Sequence, residues 1–190
     1  MNYLDILIMI SFILWGISEL VIMLFSKRNE NREVNKKSTI YPVIRLSLSI
    51  GILIGILAKI NKIYFLYSTS YWFPIFGILF VLIGMTVRWA AFLTLKRYFT
   101  SKVMIQMNHK LINTGIYSTI RHPAYSGAII SFFGLGICYA NWLSFLIIFV
   151  PYTFAILSKI KYEEDVLEKH FSEEYLKYRN ATKKIIPFIY

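Results

Sequence analysis

Charged side chains are scarce in this sequence of 190 residues. They make up 16% of the chain, against roughly 25% in an average soluble domain. Hydrophobic residues make up 57% and form runs long enough to cross a bilayer core of about 30 Å. This composition excludes an ordinary soluble domain and predicts an all-α, polytopic membrane protein.

Cysteine and clustered metal ligands are also lacking. Cys138 is the sole cysteine and lies within a hydrophobic run, so no internal disulfide is expected. The histidines His109, His122 and His170 show no metal-ligand spacing. The sequence has no glycine-rich phosphate loop and no Ser or Cys nucleophile with a recognisable base beside it. We therefore predict no metal site and find no support for hydrolysis.

Acidic side chains are few, since 10 Asp and Glu stand against 21 Lys and Arg and leave a net charge of +11. Such a balance can indicate nucleic-acid binding, but here the charges lie in loops between hydrophobic runs and form no stripe on a polar face. The N-terminus lacks signal-peptide features, because no basic residue precedes the first hydrophobic run. We expect no nucleic-acid partner and a first segment that stays in the bilayer.

The hydrophobic runs predict about five membrane helices. The runs lie at about 3–25, 40–58, 72–95 and 127–158. The last run is too long for one crossing, and the interfacial residues "YANW" at 139–142 divide it into a tight hairpin of two helices. A cytoplasmic C-terminal helix follows. We describe 1–95 as three N-terminal membrane helices and 96–190 as loop, hairpin and C-terminal helix, within one integrated membrane domain.

Basic residues orient this arrangement. Five Lys or Arg lie in 26–37, five in 96–126 and seven in the tail from Lys159, while the opposite side holds only Lys59 and Lys62. The positive-inside rule then predicts an N-terminus outside and a C-terminus in the cytoplasm. The abundance of Ile, Lys and Asn suggests an AT-rich bacterial genome, so we expect a bacterial inner membrane.

Small and charged residues stand out within the predicted helices. Gly127, Gly134 and Gly136 are expected to let the two hairpin helices approach each other closely. Arg45 and Arg88 lie inside membrane segments. Each either extends its charge to the interface or faces the bundle interior, where it marks a site for an anionic group.

A first polar cluster, "NHKLINTGIYSTIRHPAYSG", covers 108–127. Gly115 supplies a flexible turn, and Pro123 biases His122 away from helical geometry. Backbone groups in such a loop are not committed to a helix, so they can contact a ligand.

A second polar cluster, "KIKYEEDVLEKHFSEEYLKY", covers 159–178 and extends the last membrane helix into an amphipathic one. Lys159 and Glu163 are one helical turn apart. The pair either brackets a zwitterionic or amino-acid group at the membrane surface or forms a solvated ion pair of small energy.

On these motifs the sequence resembles the isoprenylcysteine carboxyl methyltransferase family and its phospholipid-methyltransferase relatives. These are integral membrane enzymes that use S-adenosylmethionine. The resemblance covers 96–190 and consists of an ordered set: His-x-Leu, Gly-x-Tyr, Arg-His-Pro-x-Tyr, a hydrophobic hairpin, Glu-Glu-x-x-Leu, then Phe-x-x-Glu-Tyr and a terminal Pro. The N-terminal half is similar only in its membrane helices and in an Arg near the end of the third.

The resemblance implies a set of site residues. Those that would contact S-adenosylmethionine are His109, Lys110, Leu111, Ile112, Tyr117, His122, Pro123, Ala124 and Tyr125. Glu163 would hold the ammonium group of its amino-acid end. Arg121 would lie near its carboxylate or sulfonium and, with Lys159, would serve catalysis. Lys159 and Arg88 would bind the substrate.

One departure from the family affects the acceptor. Carboxyl-methylating members carry Arg where this chain has Lys159, and Lys offers a point charge instead of a bidentate fork. We expect a lipophilic carboxylate, such as a prenylcysteine-type C-terminus, while a phospholipid amine or a small thiol stays open. The alternatives outside methyl transfer are a membrane reductase with a sterol-reductase-like tail and a non-enzymatic membrane scaffold.

Overall fold

The computed structural model describes residues 3–29, 50, 53–54, 57, 61, 72–100, 105, 109–138, 142–187 and 189. Its α-helices are α1 (Tyr3–Asn29), α2 (Trp72–Leu95), α3 (Pro123–Cys138), α4 (Trp142–Phe171) and α5 (Glu173–Ala181). Two short 3-10 helices, Lys96–Tyr98 and Gly115–Ser118, lie between α2 and α3. In this part of the chain the only β-type pairing is a single parallel bridge between Ile120 and Lys183. The predicted all-α class is confirmed.

Within the part of the chain that the structure describes, three helices are long and apolar enough to cross a membrane: Tyr3–Ser26, Trp72–Tyr98 and Phe145–Phe171. The apolar helix Pro123–Cys138 has 16 residues, which at 1.5 Å per residue span about 24 Å, somewhat less than a bilayer core. The predicted crossing at 40–58 lies almost wholly outside the described residues. The five-helix topology therefore stays a prediction.

Glycines join α2 to α3 along one face of each helix. A Cβ placed on Gly127 would lie 2.6 Å from the carbonyl oxygen of Gly84, and one on Gly134 would lie 2.5 Å from that of Gly77. Real Cβ atoms do not come so close to a backbone oxygen. The two backbones can therefore touch only because these positions lack side chains, as in other small-residue helix contacts in membranes.

The predicted role of these glycines is partly wrong. Gly127 and Gly134 face α2, so they do not bring the two hairpin helices together. Gly136 does face α4, where an added Cβ would lie 2.5 Å from the ring of Phe145. Sequence spacing identified a face of small residues but could not say which neighbouring helix that face contacts.

Aromatic rings fill the space where α1, α3 and α4 meet. The ring of Phe132 lies 3.7 Å from that of Tyr152, centre to centre, and 5.1 Å from that of Trp15 in an edge-on arrangement. Such pairs contribute roughly 0.5–1.5 kcal/mol each beyond the area that they bury. On the outside of α1, Ile13 and Ile17 are about half exposed, as expected for side chains that face lipid.

Candidate functional site

The first polar cluster turns the chain into α3. Gly115 has a φ of 59°, a conformation that glycine adopts at little cost. Pro123 occupies the first position of α3, where the absence of an N–H is harmless. His122 precedes it, and its carbonyl accepts hydrogen bonds from the backbone N–H groups of Tyr125 and Ser126. The sequence prediction of a non-helical entrance to this helix is confirmed.

The C-terminal segment after α5 holds this entrance in place. The backbone N–H of Arg121 donates to the carbonyl of Lys183 at 2.8 Å, and that of His122 donates to the carbonyl of Lys184 at 3.1 Å. In return, the N–H of Lys183 donates to the carbonyl of Thr119 at 3.0 Å. We expected the backbone N–H and C=O groups of this loop to be available to a ligand. The tail forms hydrogen bonds with some of them.

Glu164 is the centre of a buried ionic network. Its carboxylate accepts from Arg121 Nε at 3.0 Å and lies 3.3 Å from His122 Nε2 and 3.2 Å from Lys184 Nζ. Arg121 Nη1 also donates to the carbonyl of Thr182. The network ties α4 to both the entrance of α3 and the tail.

These contacts hold Arg121 in place, and its predicted catalytic role stays a prediction. Its guanidinium lines the cavity wall but is engaged through both Nε and Nη1 with protein groups. Through these bonds Arg121 fixes the loop before α3 to α4 and to the tail. The sequence indicated the pair Glu163 and Glu164 but did not identify Glu164 as the partner of Arg121. The two glutamates are neighbours in sequence and differ only in their rotation about the helix axis.

Glu163 lies about 100° around α4 from Glu164. Its Oε2 accepts a hydrogen bond from the hydroxyl of Tyr125 at 2.7 Å. The Nζ of Lys159 lies 5.2 Å from the centre of the same Tyr125 ring, a distance suited to a cation–π contact. His122 and Tyr125 stack with their ring centres 5.7 Å apart. The two polar clusters of the sequence therefore meet around Tyr125.

Two adjoining cavities lie at this meeting point, with volumes of about 80 Å³ and about 570 Å³. They share the wall residues Leu95, Tyr98, Thr100, Tyr117, Arg121, His122 and Glu163. The smaller cavity is completed by 109–112 and by residues of α4 and α5. The larger one extends between α1 and α4, where Ile22, Ala155 and Ile156 give it apolar walls. The smaller cavity is thus lined largely by the loop before α3 and by α4 and α5, and the larger one lies between α1 and α4.

His109 lies in an aromatic setting in the smaller cavity. Its ring is parallel to that of Tyr98 at 4.9 Å and meets Phe171 edge-on at 5.6 Å. Burial, and then the nearby charge of His170, lower the pKa of His109. A lowered pKa keeps the imidazole neutral at neutral pH, so it can stack and hydrogen-bond without adding positive charge beside a cationic ligand.

The backbone carbonyl of Tyr117 is hydrogen-bonded to a side chain of α5. Its carbonyl accepts a hydrogen bond from the hydroxyl of Tyr178 at 2.8 Å, which ties α5 to the 3-10 helix that carries Tyr117. Burial raises the pKa of the Tyr117 phenol well above its usual range and also raises that of Tyr178. Both phenols therefore stay protonated and can donate hydrogen bonds.

Arg88 reaches the larger cavity from α2. Its Nη2 donates to Oε2 of Glu19 at 2.8 Å, Glu19 Oε1 lies against its Nε, and its Nη1 donates to the carbonyl of Ala124 at 3.0 Å. Arg88 was predicted from sequence to bind substrate, whereas Glu19 was missed. A carboxylate within a hydrophobic run is itself a signal that could have found it.

The cavities bring together nearly all of the predicted site residues. Those in the wall of the smaller cavity are His109, Lys110, Leu111, Ile112, Tyr117, Arg121, His122 and Glu163. Those in the wall of the larger cavity are Arg88, Tyr117, Arg121, His122, Ala124, Tyr125, Lys159 and Glu163. Pro123 is buried at the start of α3 and belongs to neither wall. Residues found only in the structure include Glu19, Tyr98, Tyr152 and Glu164.

Comparison with known proteins gives consistent matches. Residues 72–174 match the phospholipid methyltransferase family. Protein-S-isoprenylcysteine O-methyltransferase B of Arabidopsis thaliana is 30% identical over 145 residues, which cover 74% of each chain. The protein-S-isoprenylcysteine O-methyltransferase of Saccharomyces cerevisiae is 36% identical over 118 residues, which cover 60% of this chain and 49% of the yeast protein.

A solved structure has a similar fold. The eukaryotic intramembrane Ras methyltransferase, an isoprenylcysteine carboxyl methyltransferase, aligns with a TM-score of 0.63 and 24% sequence identity, over 82% of this chain and 55% of the other. The chain thus spans between about half and three quarters of the relatives named above. These relatives are eukaryotic, so they lend no support to the bacterial inner membrane suggested by composition.

Proposed function

Because the chain belongs to the phospholipid methyltransferase family and, within it, to the isoprenylcysteine carboxyl methyltransferases, we propose that it is an integral membrane methyltransferase that uses S-adenosylmethionine and methylates a lipophilic carboxylate of prenylcysteine type. The observation that carries the proposal is the pair of adjoining cavities, one lined by the loop before α3 and the other bordered by apolar side chains of α1 and α4, with Glu163 in their shared wall. A polar donor and a lipid-like acceptor need two such compartments that meet at one point.

The residues around the wall that the two cavities share suit the methyl donor. Glu163 offers a carboxylate for an ammonium group, and Tyr125 orients that carboxylate through a hydrogen bond of 2.7 Å. His109 and Tyr117 add a neutral ring and a protonated phenol. Together with 110–112 and the run from His122 to Tyr125, they form the donor site of this proposal. Arg121 acts on it indirectly, by holding the loop through Glu164.

Lys159 is the residue that we assign to the acceptor carboxylate, together with Arg88 in the same cavity. When bound, S-adenosylmethionine supplies a methyl group on a positively charged sulfur, and transfer to a carboxylate oxygen breaks the carbon–sulfur bond, leaves the electron pair on sulfur and gives a methyl ester with no proton to move. The protein needs no general base for such a step. Its task is to orient the carboxylate and to exclude water, which apolar cavity walls favour.

The membrane topology belongs to the same proposal. With the C-terminus and the smaller cavity on the cytoplasmic side, the donor arrives from water and the acceptor enters laterally from the bilayer. The excess of basic residues in 96–126 and in the tail supports this orientation. Five crossings would then place the N-terminus outside.

Calorimetry on the purified protein in detergent tests the donor site. We expect S-adenosylmethionine and S-adenosylhomocysteine to bind, and Glu163→Gln to weaken both by about tenfold or more, since a charge-assisted hydrogen bond is lost. Glu168→Gln, five residues further along α4 and paired with exposed Arg179, serves as the matched control. Failure of the wild-type protein to bind either compound would overturn the proposal.

The acceptor is tested with a labelled methyl donor and N-acetyl-S-farnesyl-L-cysteine. We expect label that mild alkali releases, because a methyl ester is base-labile. Label that resists alkali would instead indicate a phospholipid amine or a thiol as acceptor. Binding of a nicotinamide dinucleotide without binding of the methyl donor would indicate a reductase, and binding of neither would favour a scaffold.

A further inference from the structure

One residue of the Phe-x-x-Glu-Tyr motif has no role in the proposed function. This residue, Tyr175, lies on α5, and its side chain is the largest of the fully buried ones among the residues that the structure describes. It also belongs to the wall of the smaller cavity, together with Glu163. A large, polar and completely buried side chain therefore adjoins the site to which we assign the methyl donor.

The hydroxyl of Tyr175 makes no hydrogen bond within the part of the chain that the structure describes. Burying a hydroxyl without a partner costs free energy, and the great majority of buried polar groups in proteins are paired. Phe would fill the same space without this cost. A hydroxyl at such a position calls for an acceptor that the protein does not supply, and a ligand of the adjoining cavity can supply it.

Tyr178, one turn further along α5, shows the opposite arrangement. Its ring centre lies 6.2 Å from that of Tyr175, and it lines the same cavity. Its hydroxyl, however, donates to the carbonyl of Tyr117 at 2.8 Å. The two phenols thus share one environment and differ in whether the protein supplies an acceptor, which makes them a matched pair for mutation.

The phenol of Tyr175 is suited to donate a hydrogen bond. Burial, and then the nearby charge of Glu164, raise its pKa above the usual range, so the phenol stays protonated at neutral pH. Arg121 and Glu163 are also close enough for their charges to act on it. Because the proposed function gives Glu163 to the ammonium group of the donor, Tyr175 lies near the amino-acid end of that molecule.

We propose that Tyr175 is a further donor-binding residue, whose hydroxyl donates a hydrogen bond to the carboxylate of the amino-acid end of S-adenosylmethionine. The inference rests on the proposed function and deepens it, because that function assigns no residue to this carboxylate. The carboxylate is bonded to the same carbon atom as the ammonium, so a residue near Glu163 can reach it. It is ionised, and an ionised acceptor forms the stronger hydrogen bonds.

The smaller cavity has to widen when the donor enters it. Its volume is about 80 Å³, whereas sites for small molecules usually have about 300 Å³ or more. The nine-residue helix α5 borders the cavity and follows Ser172, whose φ of 46° is uncommon for a residue with a side chain. A small shift of α5 at this joint widens the cavity and brings the Tyr175 hydroxyl to its surface.

The test compares two ligands that differ only in the carboxylate. S-adenosylhomocysteine carries it, whereas S-adenosyl-3-thiopropylamine keeps the ammonium and lacks the carboxylate. Calorimetry on the full chain in detergent measures both affinities, with the weaker ligand in competition with the stronger. We expect Tyr175→Phe to weaken S-adenosylhomocysteine by about tenfold and to leave the affinity for S-adenosyl-3-thiopropylamine unchanged. Glu163→Gln should weaken both, since both carry the ammonium.

Thermal unfolding without ligand separates binding from a structural role. The Tm of Tyr175→Phe should equal or exceed that of the wild type, since no hydrogen bond is lost, whereas Tyr178→Phe should lower it. Unchanged affinity of Tyr175→Phe for S-adenosylhomocysteine, or equal weakening of both ligands, would overturn the inference and leave the methyltransferase proposal intact. If Tyr175→Phe does not fold, equal affinities of the wild type for the two ligands would overturn it. Absence of wild-type binding would instead overturn the proposed function.

Discussion

Replacing Glu164 by Gln removes the negative charge on which the entrance of α3, helix α4 and the tail converge. Gln keeps the size of the side chain and one hydrogen-bond acceptor, so the change isolates the charge. Arg121 and Lys184 would then lose their common anionic partner. We expect the folded protein to lose stability and the donor site to lose its shape.

The magnitude follows from burial. The side chains of Arg121 and Glu164 are 7% and 8% exposed, so the guanidinium would be left without compensation in a largely dry place. Breaking such a pair by removing one partner costs about 3–5 kcal/mol. For a chain of this length 1 kcal/mol shifts Tm by roughly 2–4 °C, so we expect a fall of about 6 °C or more.

Glu168→Gln is the control for this variant. Glu168 also lies on α4 and pairs with an arginine, Arg179, but these side chains are 41% and 45% exposed. An exposed pair contributes at most about 1 kcal/mol, so the Tm should fall by less than about 4 °C. Thermal unfolding in detergent, followed by intrinsic tryptophan fluorescence, measures both variants. Equal falls in Tm would refute the view that Glu164 is the main ionic link of the site.

Three further changes follow from the described contacts. Gly127→Ala should strongly destabilise the protein in the same unfolding assay, because the new Cβ would meet the backbone of α2. Gly16→Ala is the control: nothing lies within 4 Å of its added Cβ, so the Tm should stay unchanged or rise slightly. Similar results for both variants would contradict the glycine packing. Tyr178→Phe should lower the stability by about 1 kcal/mol through loss of its hydrogen bond to Tyr117, and an unchanged Tm would count against that bond. Lys159→Gln should raise the KM for N-acetyl-S-farnesyl-L-cysteine by about tenfold and leave the Kd for S-adenosylhomocysteine nearly constant. Lys159→Arg keeps the positive charge, so it should keep the KM low. Equal effects of the two variants on KM would show that the charge at this position is not used.

Local patterns in the sequence were sufficient to locate α1, α2 and α3 to within a few residues. The predicted third membrane helix has the same ends as α2, Trp72–Leu95, because a hydrophobic run and polar flanks define both. The predicted first helix, at about 3–25, agrees with the start of α1 but is shorter than Tyr3–Asn29, since a helix can continue into polar residues beyond the bilayer. α3 begins at Pro123, four residues before the apolar run from which it was predicted.

Long-range partners were not predictable in the same way. Glu19 and Arg88 are 69 residues apart, and no pattern along the chain says that α1 and α2 pack with these two side chains in register. Glu163 and Glu164 differ by about 100° of helical rotation, so sequence could not tell which one faces the cavity and which one holds Arg121. The tail contacts involve single backbone bonds with no periodicity. In each case the missing information is the relative placement of elements.

Because the tail binds the entrance of α3, it affects the order in which parts of the site form during translation. Arg121 and its acceptor Thr182 are 61 residues apart, and translation at 5–20 residues per second separates them by roughly 3–12 s. During that interval α1, α2 and α3 can already insert and pack, but the loop of the proposed donor site has no tail to bind. The site is therefore completed last, after the membrane helices around it are in place.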